Sequence, residues 1–213
     1  MKYCIIVPDG MADYPQPKFT GRTPLEIART PNMDRLAKEG EMGLAQIIPK
    51  GFSPGSDVAN LSLLGYDPAK YYTGRAPLEA VNLGITLGKG DWAFRCNLIT
   101  ADEDTLADFS AGHISQKEAN ILIALVNEKL GTKDIQFFPG VSYRNIMVHR
   151  GGYAFKLKTT PPHDIQGQPM SKHLPRGEGA KLLCDLMEAS RALLDTHDIN
   201  EVRRDLGQKQ ANM

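Results

Sequence analysis

The sequence has no surplus of either charge. Its 213 residues carry 25 Lys and Arg against 25 Asp and Glu. That balance argues against a nucleic-acid partner, because neutralising phosphates takes an excess of basic side chains. Cysteine is scarce: Cys4, Cys96 and Cys184 are odd in number and far apart, with no C-x-x-C pair. A disulfide framework or zinc knuckle is therefore not expected, and a reducing cytoplasm fits. No apolar run approaches the roughly twenty residues of a transmembrane helix, so no membrane partner is expected. The apolar patch after Met1-Lys2 is too short for a signal-peptide core. Neither G-x-G-x-x-G after a strand nor G-x-x-x-x-G-K-[ST] occurs, which counts against a Rossmann dehydrogenase and a P-loop ATPase. Internal repeats and low-complexity tracts are also missing.

A hydrophobic content of 41% over this length is enough to bury a core. Residues 3–8 form an apolar run stopped by Pro8-Asp9-Gly10, which predicts a buried strand ending in a turn. Thr30-Pro31 opens a helix that Gly40 ends. Residues 43–49 read as a second short strand. Val58, Leu61 and Leu64 recur at helical spacing from Ser56 to the terminator Gly65. Strand, helix, strand, helix is the order of a parallel α/β layer.

The texture changes near residue 85. Residues 92–100 read as a strand. Ser115 and Glu118 form a capping box, and Leu122, Val126 and Leu130 make one stripe of the helix that follows. Strands are predicted over 135–138, 141–149 and 153–158, and a helix over 179–194. This order predicts a second, α+β unit. Residues 208–213 are polar and read as a tail that closes nothing.

Three groups could carry chemistry. Asp9, at the carboxyl end of the first predicted strand, sits where open α/β sheets bind ligands and offers a hard oxygen to a divalent cation. The local sequence also reads as a turn-forming Asp-Gly with no ligand. Ser56 follows the Gly-rich stretch 51–55 and starts a helix. It is either a nucleophile in a phosphoryl-binding loop or an N-cap. Arg95 and Arg144 could hold an anionic substrate, since Arg forks suit phosphate and carboxylate, and in the pair His163-Asp164 the histidine could bind phosphate or donate a proton. They could also point to solvent.

Taken in series, these stretches resemble the archaeal-type cofactor-independent phosphoglycerate mutases of the alkaline phosphatase superfamily. The matching segments are Ile6-Val7-Pro8-Asp9-Gly10-Met11, Thr30-Pro31-Asn32-Met33-Asp34 and Gly55-Ser56-Asp57-Val58-Ala59-Asn60. Ala93-Phe94-Arg95-Cys96-Asn97, Ser110-Ala111-Gly112-His113-Ile114-Ser115, Tyr143-Arg144 and Pro161-Pro162-His163-Asp164 follow in family order. The resemblance implies interconversion of 3- and 2-phosphoglycerate in glycolysis and gluconeogenesis, with the phosphoryl group carried on Ser56. It implies two divalent metals, manganese first, with Mg²⁺, Zn²⁺ or Co²⁺ as further options. Asp9 and Ser56 would be metal contacts, and Arg95, Arg144, His163 and Asp164 substrate contacts. Some relatives with these motifs are described as homoserine kinases, which gives a second reading. A catalytically inactive piece acting as a binding module is a third.

Family members are about twice this length, and their remaining metal ligands lie in the second half. The expectation is an N-terminal half: α/β, with part of a phosphatase-like core at 1–84, an inserted α+β cap at 85–195, and a segment returning toward the core at 196–213.

Overall fold

Proline and short polar caps set the helices of the first seventy residues. A computed structural model describes all of residues 1–213, and they divide into two units, Met1–Tyr72 and Thr73–Met213. In the first unit, helices α1 (Pro24–Ile27), α2 (Pro31–Glu39) and α4 (Pro68–Tyr71) each begin at a proline, whose fixed φ suits the first helical position. Thr23 and Glu26 form a capping box on α1, and the Asp67 carboxylate accepts from Ala69 N at 2.9 Å on α4. At α2 the Thr30 hydroxyl makes no cap bond; it donates to Asp34 Oδ1 at 3.0 Å. Helix α3 (Ser56–Leu63) starts after Gly55 and buries Val58.

The strands expected at 3–8 and 43–49 do not form. Both stretches run without pairing, with Ile6 81% and Leu44 106% exposed. The reason is that a strand, unlike a helix, is held by its neighbour's backbone. Neither segment meets a partner edge within this unit.

The second unit packs a three-stranded sheet between helices. Helix α5 (Arg75–Asn82) precedes β1 (Trp92–Asn97), the hairpin β2 (Thr100–Asp102) and β3 (Thr105–Asp108), and α6 (Gln116–Leu130). Then come β4 (Ile135–Val141), β5 (Arg144–His149), β6 (Lys156–Lys158), β7 (Arg176–Glu178), α7 (Ala180–Leu194) and α8 (Asp198–Asp205). The sheet order is β1-β5-β4, antiparallel throughout. Alternation along the strands splits its side chains between two faces. Ile146 and Val148 meet Ala76, Ala80 and Ile85 on the α5 side. Phe137 and Met147 meet Leu122, Val126 and Leu183 of α6 and α7 on the other. A small third cluster joins Ile99, Ala101 and Leu106 to Ile165 and Met170. The fold is thus mixed α/β with small sheets. The unit boundary at Tyr72/Thr73 falls before the one expected at 84/85, because α5 buries its alanines on this sheet.

The end of the chain corrects the tail reading. Asn200 is fully buried; its Nδ2 donates to Leu194 O and Ala211 O, each at 2.9 Å, and its Oδ1 accepts from Ala211 N at 2.7 Å. Asn212 is bonded on both sides to the Ala101 backbone, and Ile99 N donates to Met213 O at 2.9 Å. Residues 209–213 therefore pack onto the second unit, Ala211 within the main cluster and Met213 against the third. Backbone and amide bonds hold them there as well, which a hydrophobic pattern does not reveal. Arg203, 4% exposed, completes this seam. It donates to Glu118 Oε1 and Oε2 at 3.0 and 3.1 Å, and to Lys209 O and Ala111 O at 2.7 Å each.

Candidate functional site

The first unit brings Asp9 and Ser56 together across 47 positions of sequence. Gly10, at φ 76°, turns the chain just after Asp9, a conformation only glycine adopts without strain. Ser56 is the first residue of α3, and Ser56 Oγ donates to Asp9 Oδ2 at 3.0 Å. Both side chains are exposed. A loop and a helix start, rather than the edge of a sheet, bring the two side chains together. A carboxylate and a hydroxyl are hard oxygen donors of the kind that Mn²⁺ or Mg²⁺ takes. They fit part of a coordination shell only: no group of three or more His, Cys, Asp or Glu side chains comes together to complete one. Beside the serine, the Tyr72 phenol donates to Asp57 Oδ2.

The other four expected residues lie in the second unit. Arg95 of β1 has a partner that the sequence did not suggest: Nε donates to Glu79 Oε2 of α5 at 3.2 Å. In the β1–β5 register Arg95 opposes Ile146 and Arg144 opposes Asn97, so both arginines belong to the α5 face of the sheet. Arg144 opens β5. Its Nε donates to the Tyr143 hydroxyl at 3.2 Å, and its guanidinium stands 5.1 Å from the centre of that ring. Phe109 packs edge-on against Tyr143 at 5.8 Å and against His163 at 6.3 Å. His163 Nε2 lies 3.5 Å from Asp164 Oδ1, within the single turn Pro162–Asp164. Arg144, His163 and Asp164 thus share one cluster, while Arg95 is engaged on α5.

A family model described as 2,3-bisphosphoglycerate-independent phosphoglycerate mutase matches residues 37–200. The chain belongs to this mutase family. A protein of that name from Methanosarcina mazei is 50% identical over 212 residues, covering 100% of this chain and 53% of the relative. A "probable" member from Geobacter sulfurreducens is 48% identical over 216 residues, with 54% of it covered. A solved cofactor-independent phosphoglycerate mutase from Thermoplasma acidophilum superposes with a TM-score of 0.57 at 30% identity. It covers 95% of this chain and 55% of that one. A solved protein of Pyrococcus horikoshii gives 0.68 at 33%, covering 96% and 47%. The chain spans about half the length of the curated mutases it matches. No helix of this mutase-family chain is long and apolar enough to cross a membrane.

Sequence reasoning missed Glu79, Asn97, Phe109 and Tyr143. Asn97 and Tyr143 do stand inside the family-like segments. The Asn97 Oδ1 is buried without a hydrogen-bond partner, a cost normally avoided by pairing. Glu79 and Phe109 carried no signal, because their significance is a contact with a distant segment.

Proposed function

We propose that the chain supplies the phosphoryl-accepting and substrate-holding residues of a phosphoglycerate mutase that interconverts 3- and 2-phosphoglycerate through phosphoserine at Ser56. The single observation that carries the proposal is the 3.0 Å hydrogen bond from Ser56 Oγ to Asp9 Oδ2 at the head of α3. Ser56 Oγ attacks the phosphorus of 3-phosphoglycerate, and the bond from phosphorus to the C3 oxygen breaks. The proton released by Ser56 balances the one taken up by the glycerate oxygen. The glycerate 2-hydroxyl then attacks phosphoserine and restores Ser56. Asp9 orients the hydroxyl and draws on its proton, which a free serine does not give up at neutral pH. Asp9 and Ser56 are also the residues that would hold a divalent cation, manganese first. Such an ion supplies charge that lowers the serine pKa and screens the phosphate.

Arg95, Arg144 and His163 are assigned to the substrate's anionic groups, Asp164, whose carboxylate only accepts, to a substrate hydroxyl, and residues 85–195 to a substrate-side cap. The three free cysteines support a cytoplasmic setting. The test is Ser56→Ala in a family-length protein containing this chain. It is assayed for 3- to 2-phosphoglycerate conversion with manganese and without 2,3-bisphosphoglycerate. Turnover should be abolished. Near-normal turnover, or phosphorylation of homoserine by ATP in its place, would refute the proposal.

A further inference from the structure

We infer that Phe109 and Tyr143 are positioning residues that join Arg144 and His163 into one clamp for a ligand with two anionic ends, an inference that rests on the mutase reading above. Arg144 begins β5 and His163 lies in a separate turn, and both side chains are exposed. An exposed arginine normally samples many rotamers and loses that freedom on binding. Arg144 has already lost part of it. Nε is committed to the Tyr143 hydroxyl and the guanidinium plane is drawn to the ring. That leaves the two terminal nitrogens as a fork for an oxyanion.

Tyr143 is itself anchored, because Leu98 N donates to its carbonyl at 2.9 Å beside the end of β1. Phe109 then packs between the Tyr143 ring, which holds Arg144, and the His163 ring. Its ring meets Tyr143 at 76° and His163 at 67°, edge-to-face on both sides, the arrangement that ring quadrupoles favour. Phe109 also packs on the cluster around Leu106 and Ile165. The preceding Asp108 carboxylate fixes the next turn by accepting from Ser110 N and Oγ at 2.7 Å. On the far side His163 follows two prolines, which stiffen its turn. A phosphoglycerate carries a phosphate and a carboxylate on a three-carbon body. The Arg144 guanidinium and the His163 ring, linked through Tyr143 and Phe109, offer hydrogen-bond donors to both ends of such a ligand.

The test uses residues 1–213 with ¹⁵N-labelled arginine and histidine, titrated with 3-phosphoglycerate and, separately, with inorganic phosphate. Expected is that 3-phosphoglycerate moves the Arg144 Nε and His163 ring signals together, with one affinity. Phe109→Leu, which keeps an apolar side chain but no ring, should weaken that affinity about threefold to tenfold. Phe109→Tyr should rescue it to within about twofold, and Tyr143→Phe should weaken it by freeing Arg144. Inorganic phosphate, reaching one end only, should respond much less to Phe109→Leu. Equal affinities for the leucine and tyrosine variants would make Phe109 a mere filler and overturn the clamp, with the mutase reading intact. If 3-phosphoglycerate moves neither signal in the unsubstituted chain, the mutase reading of these residues fails and the clamp with it.

Discussion

Replacing Arg203 with methionine keeps an apolar stem but removes every hydrogen bond that ties α8 to the head of α6. Glu118, whose side chain is 28% exposed, loses a two-pronged charge partner. The carbonyls of Ala111 and Lys209 lose their donors at 2.7 Å. Breaking a buried pair costs about 3–5 kcal/mol, and each stranded acceptor roughly 1–3 more. Glu118 can turn partly to water, so we expect about 3–5 kcal/mol in all. For a unit of this size that lowers Tm by roughly 10–15 °C. Trp92, the one tryptophan, lies in β1 and reports the second unit alone in urea or thermal unfolding.

The pH dependence should change as well. Burial pushes the Glu118 carboxyl up. The bonds from Ser115 and Arg203, with the Arg203 charge, outweigh that and hold it below the usual carboxylate range. A depressed carboxylate stabilises the fold above its unfolded pKa, and that contribution is lost as pH falls through the folded pKa. Without Arg203 the folded pKa rises, so this acid-sensitive contribution shrinks and is lost at higher pH. A loss under about 1 kcal/mol with an unchanged acid limb would show that the seam re-solvates freely and that Arg203 does not hold it.

Three further outcomes follow from the same geometry. Gly179 caps α7 at φ 84°, and a Cβ there would sit 2.4 Å from Phe155 Cδ1. Gly179→Ala should therefore destabilise the second unit by about 2–4 kcal/mol, read by urea unfolding; a neutral result would contradict it. Burial pushes the Cys96 thiol up to about 11, whereas Cys4 is exposed. Native protein at neutral pH should label at Cys4 first and leave Cys96 unreacted until unfolding, as peptide mapping can check. Residues 1–213 present Asp9 and Ser56 without a larger ligand cluster. They should bind Mn²⁺ with a Kd on the order of 0.1 mM or weaker. Two stoichiometric metals surviving dialysis, seen by elemental analysis, would overturn that reading of the site.

What could be read from sequence was what depends on local chemistry. The capping box of Ser115 and Glu118 marked the start of α6, and both of its bonds are present. Gly55-Ser56 marked the head of α3, and β1, β4, β5 and α7 fell close to their expected places. Failures came where structure depends on a distant partner. Residues 3–8 have strand composition but no neighbour to pair with. Residues 208–213 look like a polar tail, yet Ala211 and Asn212 are buried through bonds to Asn200 and Ala101. The Asp9–Ser56 pair was reached through turn chemistry and family resemblance together, since neither residue alone separates a ligand from a cap. The link from Arg144 to His163 could not be reached that way, because it runs through Phe109, a residue with no motif of its own.

Whether Ser56 takes the phosphoryl group decides the proposed mechanism. The direct measurement is mass spectrometry of a family-length protein containing this chain, incubated with 3-phosphoglycerate and manganese, quenched in acid and digested. One phosphoryl group is expected, on the peptide carrying Ser56, chemically competent to return to glycerate and absent in Ser56→Ala. A phosphoryl group on another residue such as His163, or turnover with Ser56 never phosphorylated, would contradict it.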